Sequence, residues 1–98
     1  MLNVNEIKER KKIRLEILEQ LYDLYFHPPT QNQALFTKRK ELIGERNSEK
    51  HLAYHYLLTS GYIHMDVDEN DRAKVMIKNK GIDYVEAFYE EKENDKLK

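Results

Sequence analysis

The chain has no cysteine, only isolated glycines and no long apolar run. The missing cysteine excludes disulfides and thiolate metal sites and fits a reducing compartment, so a cytoplasmic protein is expected. No apolar stretch approaches the roughly 18 residues that a membrane span requires. The opening MLNVNEIKERKK is basic but lacks an apolar centre, unlike a signal peptide. With 3 separated glycines there is no glycine-rich phosphate loop. Bulk charge is also missing: the net charge of −1 gives the whole molecule no general attraction for polyanions. What remains is 98 residues, 40% hydrophobic and 36% charged, the composition of one small globular domain. No internal repeat or second domain is visible, so residues 1–98 are read as a single domain.

Charge is distributed unevenly along the chain. Residues 1–14 carry Lys8, Arg10, Lys11, Lys12 and Arg14 against Glu6 and Glu9, giving +3. Residues 38–55 carry Lys38, Arg39, Lys40, Arg46 and Lys50 against Glu41, Glu45 and Glu49, giving +2. Residues 64–72 and 83–98 each come to −3.

Residues 5–26 predict one long helix, with Ile13, Ile17, Leu21, Leu24 and Tyr25 at three- and four-residue steps. Asn5 is its expected cap, and His27-Pro28-Pro29 ends it because proline disfavours helix in the preceding residue. Its charged start, about residues 1–12, is expected to project as a basic extension. Leu35-Phe36 reads as a short strand or a buried anchor. Thr37 is the expected cap of a short helix, KRKELIGE, and Arg46-Asn47 the turn after it.

Ser48 caps the next helix, whose interior runs to Ser60, with Gly61 beyond its end. Two buried faces are open to it. One is Glu49, Leu52, Ala53, Tyr56 and Ser60; the other is Lys50, Ala53, Tyr54 and Leu57. A short helix, a tight turn and a serine-capped helix form the layout of a helix-turn-helix. Tyr62–Val67 and Ala73–Ile77 then predict two strands around the polar turn Asp68-Glu69-Asn70-Asp71. Asn79 is the expected cap of a last helix bearing Ile82, Val85, Phe88 and Tyr89, and residues 91–98 are expected to fray as an acidic tail.

In this order the chain resembles a winged helix-turn-helix domain: mainly α with a small β-hairpin. The likeness is carried by LLTSGYI at Leu57–Ile63 and IKNKGIDYV at Ile77–Val85, and covers about residues 12–90. The long first and last helices resemble those by which small bacterial MarR- and PadR-like regulators dimerise. The resemblance implies a transcriptional regulator that binds double-stranded DNA as a homodimer, with Ser48–Ser60 as recognition helix. It places Asn47, Ser48, Lys50, His51, Tyr54 and His55 as candidate DNA contacts, with Arg39, Lys40 and Arg46 on flanking phosphates. A homodimer would use Tyr25, Phe26, Phe88 and Tyr89.

A second expectation is a winged-helix protein-interaction module without DNA binding. Asp68, Glu69 and Asp71 at the wing tip would be repelled by phosphate, and the recognition helix holds a single lysine. Other chemistry is not expected. His51 and His55 have the spacing of a metal pair, but position 52 is Leu, not the zincin Glu, and no third ligand is evident, so a surface pair is expected and no metal or cofactor. The carboxylates fall on the turn and the tail, and Ser48 and Ser60 are explained by helix ends, so no enzyme is expected.

Overall fold

A computed structural model describes the backbone of residues 2–96 and the side chains of residues 2–93. It contains four helices and a three-stranded antiparallel sheet, a small α+β fold. The elements are α1 (Val4–Phe26), β1 (Leu35–Lys38), α2 (Arg39–Ile43), α3 (Glu49–Thr59), β2 (Ile63–Val67), β3 (Arg72–Ile77) and α4 (Asn79–Lys96).

The expected hairpin is therefore part of a larger sheet. Its strand order is β1-β3-β2, so β3 is central. Leu35 pairs with Val75 and Lys38 with Arg72 on one side, while Ile63 pairs with Ile77 and Val67 with Ala73 on the other. Ala73, Val75 and Ile77 alternate inward on β3 and are all buried, as a strand covered on one face requires. Leu35–Lys38 gave only a weak sequence signal because four residues show too little alternation to read, and its pairing partner is distant in sequence.

The core lies between this sheet face and the helices. Ile17, Leu18 and Leu21 of α1 meet Leu42, Ala53, Tyr54, Leu57, Ile63 and Val85. The buried stripe of α3 is thus Ala53, Tyr54 and Leu57, the second of the two alternatives. Gly81 lets α4 close against the sheet: a Cβ there would lie 2.5 Å from the Tyr62 carbonyl oxygen and 2.7 Å from Ile77.

Several helix ends differ from expectation. Asn3, not Asn5, caps α1, accepting from the Asn5 and Glu6 amides. Thr37 belongs to β1; the α2 cap position is Lys38, which makes no side-chain capping bond. Helix α2 stops at Ile43 because Gly44 takes φ +72°. Asn79 is the first helical residue of α4, and the carbonyl of Lys78 accepts from the Ile82 amide. Nor does α4 lose its helix near residue 91: it continues to Lys96 on good helix formers, Glu and Lys. Residues 97 and 98 lie outside the described backbone. The molecule measures 51 × 41 × 20 Å, a flattened body.

Candidate nucleic-acid interface

The site is built on the turn between α2 and α3. Asn47 sits at φ +65°, a conformation asparagine tolerates, and reverses the chain. Ser48 follows as the α3 cap, its Oγ accepting the His51 amide at 3.2 Å. At the other end the Gly61 amide donates to the Leu58 carbonyl and the Tyr62 amide to the Leu57 carbonyl at 2.9 Å, with Gly61 at φ +82°. This paired closure ends the helix and turns the chain directly into β2.

With Ala53, Tyr54 and Leu57 buried, the opposite side of α3 presents Leu52, His55 and Thr59, given about 100° per residue. This face carries no lysine or arginine. Its two flanks differ. On the α1 flank, Arg10 forks onto Glu49, with Nε 3.1 Å from Oε2 and Nη2 3.2 Å from Oε1. That hydrogen bond, then the charge of Glu49, raises the already high Arg10 pKa. The Arg14 guanidinium lies 4.1 Å from the centre of the Tyr56 ring. The basic start of α1 is therefore held to α3 by these contacts, although most of its side chains remain exposed.

On the α2 flank a groove of about 620 Å³ is lined by Arg39, Lys40, Ile43, Gly44, Glu45, Arg46 and His51. Arg39 is fixed there by Asp71: Nε donates to Oδ1 at 2.7 Å, and the Arg39 amide donates to the Asp71 carbonyl at 2.9 Å. The Asn47 amide donates to Nδ1 of His51 at 3.2 Å. A neutral His51 ring so engaged carries its proton on Nε2.

The groove thus gathers four of the nine candidates: Arg39, Lys40, Arg46 and His51. Asn47 and Ser48 serve the turn and the cap. His55 stands on the outward face. Lys50 does not: its Nζ turns to the Glu41 carbonyl at 3.4 Å. Tyr54 is removed from the interface altogether. It is 4% exposed, and burial pushes its hydroxyl up to about 12. Tyr54 falls among the expected contacts because the sequence leaves both faces of α3 open. Leu52 and Thr59 were missed for the same reason, and Asp71 because nothing local links it to Arg39.

The β2–β3 turn is less repulsive to phosphate than its composition suggests. Asp68 Oδ1 accepts the amides of Asn70 and Arg72, both at 2.9 Å, and Asp71 is paired with Arg39. Two of its three acids are therefore engaged in holding the turn. A second groove, between α1 and α4, has the opposite character, with Glu19, Asp23, Glu86 and Glu90 around Tyr22, Val85 and Tyr89. Among the described residues no three His, Asp or Glu side chains gather as a metal would need. No described helix is long and apolar enough to cross a membrane. Comparison of the chain with family models, curated proteins and solved structures finds no match.

Proposed function

We propose that the protein is a winged-helix DNA-binding regulator that lays the outward face of α3 in a major groove. The observation that carries this reading is the charge around α3. A face of Leu52, His55 and Thr59, without lysine or arginine, lies between two margins that carry cations, Lys11 and Arg14 of α1 beside Tyr56 and Arg39, Lys40 and Arg46 on the α2 side. Such an arrangement puts cations toward the phosphates on either side of a groove and leaves base edges to uncharged side chains. The hairpin that follows α3 and the strand order β1-β3-β2 are compatible with a winged helix. A homodimer through α1 and α4 belongs to the same reading, supported by the exposure of Phe26, Phe88 and Tyr89. It would present two α3 helices about 34 Å apart.

Fluorescence anisotropy with duplex fragments from the neighbourhood of the gene tests the reading. Binding is expected to weaken steeply with salt. Lys40→Ala and Arg46→Ala should each lower the salt slope by about 0.9, since each removes one phosphate contact. No binding to any fragment at roughly 50 mM salt sinks the proposal, given the sequence-independent affinity that phosphate contacts provide.

A second reading, a protein-interaction module, is favoured by one observation. Leu52 and Tyr56, neighbours one turn apart on α3, are 46% and 43% exposed, an apolar pair of the kind found at partner sites. Recovery of a stable protein partner lost on Leu52→Ser, with no DNA retained, would select it.

A further inference from the structure

We propose that the groove between α2 and the α2–α3 turn is a preorganised seat for a single phosphate group, with His51 as its directional donor. This deepens the DNA reading by naming the group that docks there, and rests on that reading only for the source of the phosphate. Three cationic side chains line the groove, Arg39, Lys40 and Arg46, against one carboxylate, Glu45. Two of its donors are held in place before any ligand arrives. Asp71 takes the Nε of Arg39 at 2.7 Å, which orients the guanidinium and leaves its terminal amino groups for an anion. The Asn47 amide takes Nδ1 of His51 at 3.2 Å, which leaves Nε2–H as a donor with no acceptor function on the open side. A neutral ring in this state contributes direction without charge, while Lys40 and Arg46 supply charge on longer, more mobile stems. The oxygens of one phosphate group between them accept from these side chains. The same chemistry serves a DNA backbone phosphate or a free phosphate ion.

The test uses the whole protein labelled with ¹⁵N in the histidine rings. Inorganic phosphate is added near pH 8, about where an ordinary histidine is neutral, with ionic strength held constant by chloride. Before phosphate, His51 is expected as the Nε2–H tautomer. On addition, its Nε2 resonance should move saturably while those of His27, His55 and His64 stay in place. Arg39→Ala and Arg46→Ala should weaken the apparent affinity about fivefold or more, the scale of a lost charge-assisted hydrogen bond. Because Arg39→Ala also loosens the wing, Arg46→Ala is decisive: Arg46 has no side-chain hydrogen bond or ion pair among the described residues. A His51 ring protonated on Nδ1, equal movement of all four histidines, or unchanged affinity in Arg46→Ala overturns the seat. Duplex DNA forms the second arm. If DNA binds without moving His51, the DNA reading stands and the seat falls. If phosphate saturates the seat but no duplex binds, the seat stands and the DNA reading falls.

Discussion

Tyr54 is buried in the core, and Gly81 has no room for a side chain. The Tyr54 hydroxyl is pushed up to about 12 because ionising it would bury a phenolate. An unfolded tyrosine titrates near 10. The stability this shift carries is therefore whole below pH 10 and is lost as pH rises through about 12. Ultraviolet titration should show one of the 7 tyrosines ionising near 12, and Tyr54→Phe should remove that step and, on the DNA-binding proposal, leave binding unchanged. Loss of binding in a folded Tyr54→Phe would contradict the placement of this residue in the core. Tyr22 and Tyr89 are also displaced upward, because each hydrogen-bonds across the α1–α4 groove, to Glu86 and Glu19 respectively, and ionisation would break that bond. Gly81→Ala should destabilise the protein by about 1–3 kcal/mol in chemical denaturation, the range for overpacking, since its Cβ meets a backbone carbonyl that cannot move aside. The LLTSGYI and IKNKGIDYV segments flagged this region by resemblance, but the close contact behind Gly81 is a property of the packed helix and strand.

At the scale of elements, helix α3 is the clearest case. Ser48 and Gly61 were readable as its ends because capping chemistry is local: an oxygen at one end, a left-handed residue beyond the other. Ser48→Ala should cost about 0.5–2 kcal/mol in urea denaturation, the usual loss for a cap of this type. An unchanged midpoint would show that the cap carries no stability. Which face α3 buries was not readable, since Leu52 and Leu57 are equally apolar and only the positions of α1 and β2 choose between them. The candidate contacts therefore divided: Arg39, Lys40, Arg46 and His51 came together, Tyr54 went inward and Lys50 turned toward α2. The α1 cap moved from Asn5 to Asn3 because both residues have capping side chains and the sequence does not rank them. The link from Arg39 to Asp71 spans 32 positions, so no local pattern could announce it.

At the scale of the whole molecule, α1 and α4 meet each other within one chain, as the Tyr22–Glu86 hydrogen bond shows, and still leave Phe26, Phe88 and Tyr89 exposed. If a second copy covers them, the thermal midpoint should rise with protein concentration, because association stabilises only the folded state. Phe88→Ser should abolish that dependence, and sedimentation equilibrium showing a monomer at all concentrations would remove the dimer from the proposal. The sequence by itself determined the helices, the hairpin, the turn at Asn47 and the uneven charge, because periodicity, capping and turn chemistry act over a few residues. Only the tertiary structure decided the third strand, the buried face of α3, the Arg39–Asp71 pairing and the groove that His51 shares with three cations. Each of these depends on contacts between segments far apart in the chain, and those exist only once the core has closed.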